Sequence, residues 1–249
     1  MSLRLQLAGV SKHFGNNAVL SHIDLSVHAG EVVALLGDNG AGKSTLIKII
    51  SGYHPPSAGT MHWEGKLVDP THFSPKRAQS LGIQTVYQHL GLVEKLSIAR
   101  NFFLGKEPKK KRWGIQALDM EFMNTVVTSQ LQSMKIARRL KPDTPVSYLS
   151  GGEKQAVAIA RARYFGARLL ILDEPTSALS LNQTQEVLNL IVQAKQQGVA
   201  VVFITHSLHH IKDIVDTVFI MSKGRMVQKL SAPIDEKACA LLIMASARV

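Results

Sequence analysis

The stretch GDNGAGKST, residues 37–45, brings glycines, a lysine and two hydroxyls together at a spacing that fits G-x-x-x-x-G-K-[ST]. An apolar run, EVVALLG, leads into it and a helical run, STLIKIISG, leads out. In that setting Gly37, Asn39, Gly40, Ala41 and Gly42 can curl main-chain N–H groups around phosphate oxygens with no bulky side chain in the way. Lys43 reaches the β- and γ-phosphates, Ser44 offers its hydroxyl to Mg²⁺, and Thr45 assists at the α-phosphate. The dipole of the helix that starts here adds positive potential. Such a site needs a carboxylate for the metal, and RLLILDE, residues 168–174, supplies one. Its apolar residues predict a buried strand whose carboxyl end presents Asp173, a water-mediated Mg²⁺ ligand. Glu174 points differently and can polarise a water for attack on the γ-phosphate.

A second glycine-containing turn, YLSGGEKQ at 148–155, opens another helical run. By itself it reads as a capping box: Ser150 accepts from the helix backbone and Glu153, three residues on, reaches back. A helix start of this kind can also receive a phosphate. The histidines of THSLHH, His206, His209 and His210, share a helical face, but no cysteine or carboxylate pattern supports zinc there.

These groups need a scaffold to hold them. The chain has 249 residues, 45% of them hydrophobic and 19% charged, enough for one large domain or two small ones with a real core. No apolar run is long enough to span a bilayer, and MSLRLQLAG lacks the apolar core of a secretion signal. A lone cysteine, Cys239, excludes an internal disulfide and fits a reducing cytosol. The net charge of +11 suggests an anionic partner. Its sharpest cluster, KEPKKKRWG at 106–114, reads as a solvated basic loop, with anionic lipid headgroups as the alternative contact.

LRLQLAGV and AVLSHIDLSV predict strands joined at FGNN, and TMHWEGKLV predicts one more. Residues 76–86 predict a short helix, followed by the strand GIQTVYQ. From about 90 to 165 the pattern turns helical, in LSIARNFFLG, LDMEFMNTVVTSQLQSMKI and GGEKQAVAIARARYF. RLLILDE, a helix at 182–196 and GVAVVFITH then alternate, which predicts a mainly parallel sheet. TVFIMSKGRMVQKL reads as a hairpin across Lys223-Gly224.

The P-loop, LSGGE and LILDEP, in this order and at these spacings, resemble the ATP-binding cassette family over nearly the whole chain. The resemblance implies an α/β fold, a P-loop NTPase of ABC type: a mainly parallel sheet core, an antiparallel β subdomain and an inserted helical subdomain. Residues 1–88 and 166–249 would form the ATPase core with its β subdomain, and about 89–165 the helical subdomain. It further implies ATP and Mg²⁺ as ligands. Gln88 in TVYQ looks like the family's glutamine loop, which contacts Mg²⁺ and couples to a transmembrane partner beside a groove for that partner's coupling helix. His206 in FITHS looks like the switch histidine that contacts the γ-phosphate and orients Glu174. Phe14 sits where the family stacks an aromatic on adenine, although a core aromatic fits the same position.

The resemblance also implies a head-to-tail homodimer in which Ser150, Gly151 and Gly152 face the partner chain's ATP. Two positions depart from the commonest pattern: Glu153 stands where glutamine is usual, and Ser180 in SALS where aspartate is usual. Several longer stretches look like cassettes of bacterial simple-sugar importers of the ribose and fructose type. The expected partners are an integral membrane permease and, indirectly, a periplasmic sugar-binding protein. The expected place is the cytoplasmic face of the inner membrane, as a peripheral subunit, with no nucleic acid expected. The alternatives are a soluble cassette ATPase acting on nucleic acid or ribosomes, a transporter ATPase with another substrate, and a regulatory binder that holds ATP without turnover.

Overall fold

The computed structural model describes residues 2–112, 115–134, 139–206, 208, 209, 211–239, 241 and 242. Elements are numbered along the chain. By its packing the chain divides into two compact units: Met1–Gln88 with Gly166–Pro175 and Ile191–Val249, and His89–Phe165 with Thr176–Leu190. Residues 176–190, which the sequence-based division leaves in the core, thus group with the second unit.

The first unit holds a six-stranded sheet in the order β12-β11-β3-β10-β9-β6. β3 (Val32–Leu36), β9 (Leu169–Asp173), β10 (Ala200–Thr205) and β6 (Ile83–Val86) run parallel, and β11 (Thr217–Ser222) is parallel to β3. Only β12 (Arg225–Ser231) is antiparallel, paired to β11 through the expected turn at Lys223-Gly224. Every residue of β3 and β10 is buried, as unbroken apolar runs in a covered parallel sheet require. Helix α1 (Lys43–Ile50) buries Leu46, Ile47, Ile49 and Ile50 in the core shared with these strands.

A separate four-stranded sheet, in the order β2-β1-β4-β5, is antiparallel: β1 (Leu3–Phe14), β2 (Asn17–His28), β4 (Ala58–Trp63) and β5 (Lys66–Leu67). Here TMHWEGKLV is a hairpin and not the single strand its apolar content predicts. Glu64 and Gly65 take φ of 50° and 77°, a turn with two left-handed residues that reverses the chain and pairs Trp63 with Lys66. Glu64 is fixed in that conformation by ion pairs to Arg4 and Arg168. Helix α2 (Pro75–Ser80) follows, with Ser74 capping it and proline in its first turn.

In the second unit, α3 (Ile98–Phe102) is much shorter than LSIARNFFLG predicts. The residues before it are held by Asn101, fully buried, whose amide donates to the carbonyls of Val93, Leu96 and Ser97 and accepts from the Val93 N–H at 2.7 Å. α4 (Met120–Ser133) and α5 (Gly151–Tyr164) follow in this part, and α6 (Leu181–Gln196) runs across the division. The basic cluster read as a loop contains a strand: β7 (Lys109–Arg112) pairs antiparallel with β8 (Ile115–Leu118). An unbroken run of long cations gave no apolar face to betray it, and Lys110 is tied down by Asp119 at 3.0 Å and Glu121 at 3.3 Å. Trp113 and Gly114 of that cluster, and the end of the run SQLQSMKI, lie outside the described residues.

Candidate active site

Four neighbouring parallel strands deliver the predicted residues to one edge. Leu36, at the end of β3, pairs with Thr205, and Ile204 pairs with Asp173 across β10 and β9. Leu172 in turn pairs with Val86 of β6. The P-loop therefore leaves β3, His206 leaves β10, Asp173 and Glu174 leave β9, and Gln88 follows β6, all at the carboxyl ends of the strands, where open α/β sheets bind ligands. Gln88 is exposed there.

The P-loop is pinned from behind. A Cβ on Gly37 would lie 2.3 Å from the Met221 carbonyl oxygen, and one on Gly42 would lie 2.7 Å from Leu20 Cδ2. Gly42, at φ 101°, is the N-cap of α1 and provides no side-chain hydrogen bond, so the first N–H groups of that helix have no side-chain cap. Gly224, in the β11–β12 turn, donates to the Ala41 carbonyl at 3.1 Å. The sequence motif says nothing of Met221 or Gly224; only the sheet order brings them under the loop. Lys43 Nζ donates to the carbonyls of Gly37 at 2.6 Å and Asp38 at 2.9 Å. Burial lowers its pKa, with Glu174, Asp173 and Asp38 nearby pulling the other way.

Burial raises the pKa of Asp173, and the adjacent Glu174 charge raises it further, against Lys43. Glu174 is a non-glycine residue at φ 50°, held by its N–H to the Ile204 carbonyl at 3.0 Å. Its side chain is 17% exposed, and Oε1 lies 2.9 Å from His206 Nδ1 on a ring that is 70% exposed. The carboxylate is thus oriented from one side by a histidine still open to a ligand. A desolvated carboxylate beside a second one, with the exposed Ser44 hydroxyl on the neighbouring strand-to-helix turn, fits Mg²⁺, which takes one or two protein oxygens and leaves the rest to water and phosphate. Among the described residues no cluster of three or more histidines, cysteines or carboxylates could hold a metal alone. His209 pairs instead with Glu236 at 3.4 Å, and His210 lies outside the described residues.

Phe14 is 45% exposed at the end of β1 and pairs with Asn17 in the hairpin whose second strand places Leu20 under Gly42. His54 meets its ring edge-on at 5.4 Å between centroids, and Lys12 Nζ sits 5.0 Å from its centroid while donating to the Pro55 carbonyl. These supports carry no motif.

Ser150, Gly151 and Gly152 belong to the second unit. The capping box expected there is present: Glu153 N–H donates to Ser150 Oγ at 3.3 Å, and Ser150 N–H donates to Glu153 Oε2 at 2.8 Å. Ser180 forms a second one with Gln183, through Gln183 N–H to Ser180 Oγ at 3.4 Å and Ser180 N–H to Gln183 Oε1 at 3.3 Å. The S-x-x-Q spacing that announces it is plain in SLNQ.

The family described as ABC transporter matches residues 20–177. The chain is 43% identical over 227 residues to the xylose/arabinose import ATP-binding protein XylG of Sulfolobus acidocaldarius, covering 91% of this chain and 88% of that one. It is 39% identical over 226 residues to the fructose import ATP-binding protein FrcA of Rhizobium meliloti, covering 89% and 85%. The ribose import ATP-binding protein RbsA of Rhodopirellula baltica is 40% identical over 88% of this chain, which spans only 41% of that protein. Among solved structures, an ATP-binding cassette of an ABC transporter in its ADP conformation shares the fold, with a TM-score of 0.84 at 22% identity over 100% of this chain and 98% of that one.

Proposed function

The chain belongs to the ABC transporter family, and from that premise we propose that it is the ATP-hydrolysing subunit of an importer of simple sugars. It binds nucleotide and is an ABC-type ATPase. The observation that carries the catalytic reading is the Glu174–His206 contact beside the P-loop, at one edge of the parallel sheet. The sugar reading rests on the likeness to XylG and FrcA, of which this chain spans most of the length.

ATP would lie along the P-loop. Lys43 would exchange its carbonyl partners for the β- and γ-phosphates, and the uncapped N–H groups of α1 would donate to phosphate oxygens. Phe14 would stack on the adenine with the ring face left open by Lys12 and His54. Mg²⁺, held by Ser44 and Asp173 and reached by Gln88, would neutralise charge on the β- and γ-phosphates. Glu174 would accept a hydrogen bond from the attacking water and align it, and His206 would hold the carboxylate and contact the γ-phosphate.

The chain has one P-loop and one LSGG turn. A head-to-tail homodimer, with Ser150, Gly151 and Gly152 facing the partner's ATP, gives each nucleotide both. The assembly would serve a separate integral membrane permease from the cytoplasmic face of the inner membrane, with a periplasmic sugar-binding protein delivering the substrate. No described helix is long and apolar enough to cross a membrane, so the translocation path would be the permease's. The permease would dock beside Gln88, next to the edge-to-face pair of Tyr53 and Tyr87.

Glu174→Gln tests the scheme. Hydrolysis falls by about a thousandfold or more while ATP affinity stays, and saturating ATP with Mg²⁺ converts the chain to a dimer on size-exclusion chromatography. A chain that remains monomeric, or that hydrolyses ATP at the parent rate, contradicts it. Uptake of labelled xylose, fructose and ribose by cells carrying or lacking the chain separates the sugar reading from other substrates.

A further inference from the structure

A cavity of about 310 Å³ lies in the first unit between the β4–β5 hairpin and α2. Its walls include Trp63, Leu67 and Phe73, and its polar groups include Lys66, Asp69 and Arg77. It shares no residue with the P-loop, Asp173, Glu174 or His206. We propose that this cavity binds a small organic anion with an apolar body, at a site separate from the nucleotide.

The hairpin builds one side. The left-handed pair Glu64-Gly65 turns the chain so that Lys66 stands opposite Trp63, and Leu67 stands opposite His62. Leu67 is left 63% exposed, an apolar side chain at the rim of an apolar cavity. The Ser74 cap and Pro75 start α2 so that Arg77 reaches the same cavity. Neither the Lys66 ammonium nor the Arg77 guanidinium has an ion-pair partner among the described residues.

The one carboxylate in the lining is already engaged. Asp69 accepts from Thr71 N–H at 2.9 Å, from Thr71 Oγ1 at 2.7 Å and from the His72 ring at 2.7 Å, and these bonds pull its pKa down to about 2. Two uncommitted cations thus line the cavity together with one carboxylate that already accepts three hydrogen bonds. Apolar walls with a few convergent polar groups, at a volume of about 300 Å³ or more, are the usual makeup of a small-molecule site. The cation excess sets the sign of its ligand. A neighbouring cavity of about 130 Å³ shares Leu67, Val68 and Phe73 and gives an apolar body room to extend. Ile49 lines that second cavity, so an occupant would touch the helix that carries Lys43 and Ser44 at its other end.

The chain has two tryptophans, so Trp113→Phe leaves Trp63 as the sole reporter. Anilinonaphthalene sulfonate, an aromatic anion, and phenylnaphthylamine, the same body without the charge, are titrated by energy transfer from Trp63. The sulfonate is expected to bind about tenfold tighter than the neutral dye at low salt. Arg77→Glu and Lys66→Glu should each remove that preference, and Arg77→Lys should keep most of it. Unchanged far-ultraviolet circular dichroism and ATPase in the variants show that the fold survives. Equal affinity for the two dyes, a preference indifferent to both charge reversals, or no transfer from Trp63 overturns the proposal.

Discussion

Two glycine-containing turns open helices in this chain, and they are built to opposite specifications. At α1 the cap is Gly42, which offers no side chain, and Lys43 is folded back on the carbonyls of Gly37 and Asp38. At α5 the cap is Ser150, and Ser150 and Glu153 satisfy each other's N–H groups. The first turn leaves its donors for a ligand and depends on the backbone beneath it for shape. The second completes its own cap and keeps only the remaining N–H groups of Gly151 and Gly152 to offer. In the proposed scheme a triphosphate would have its primary seat at the first turn, and the second would contribute a few donors to a nucleotide held mainly elsewhere. That asymmetry suits a site shared between two chains.

Removing the cation of the first turn should do the most damage to nucleotide binding. Lys43→Ala is expected to weaken ATP binding by about a hundredfold, since it deletes a charge-assisted contact to phosphate. Isothermal titration measures it, and an unchanged affinity would erase the distinction between the turns.

The glycines come next. Gly37→Ala puts a methyl 2.3 Å from the Met221 carbonyl, a backbone atom that cannot step aside, whereas Gly151→Ala puts one 3.0 Å from the tip of Leu179, which can. The first should cost about 3 kcal/mol in denaturant unfolding and the second less than about 1 kcal/mol. Equal costs would mean that the first turn is no more tightly supported than the second.

At Glu153, alanine should cost about 1 kcal/mol and glutamine almost nothing, because glutamine keeps the capping box. Thermal unfolding distinguishes them, and a large loss with glutamine would assign the charge a role beyond the cap.

The smallest expected change in stability is at Asp173. Burial raises its pKa, so the folded chain holds the proton more tightly than the unfolded chain does. The folded state is therefore penalised once pH rises above the folded pKa, and the penalty disappears below the unfolded value of 3.8. Asp173→Asn should raise the melting temperature of the nucleotide-free protein at neutral pH, by an amount that shrinks as pH falls toward that value, while abolishing Mg²⁺-dependent hydrolysis. A variant that melts lower at neutral pH would show that Asp173 is stabilised by its surroundings.

Much of this was legible in the residues. The P-loop, the β9 carboxylates and the capping box at Ser150 stand at positions where local chemistry alone dictates geometry, and unbroken apolar runs such as VVALL and LLIL announce buried parallel strands. What escaped depends on distant chain or on competing patterns. Met221 and Gly224 support the P-loop only because β11 pairs with β3. The Glu64-Gly65 turn was hidden inside an apolar stretch, and β7 was hidden because four cations in a row show no alternation of polarity. Asn101 looks like any polar residue on a helix, yet its amide takes the place of a turn's worth of backbone hydrogen bonds.

The claim that each ATP is held by two chains is tested most directly by mixing two inactive variants. Lys43→Ala lacks a working P-loop, and Gly151→Asp lacks a working LSGG turn. In a mixed head-to-tail dimer, one site carries both defects and the other carries neither. Steady-state ATPase should therefore reappear on mixing, rising with the fraction of mixed dimers. Two variants that are each inactive and stay inactive at every mixing ratio, while still forming mixed dimers, would contradict the shared site.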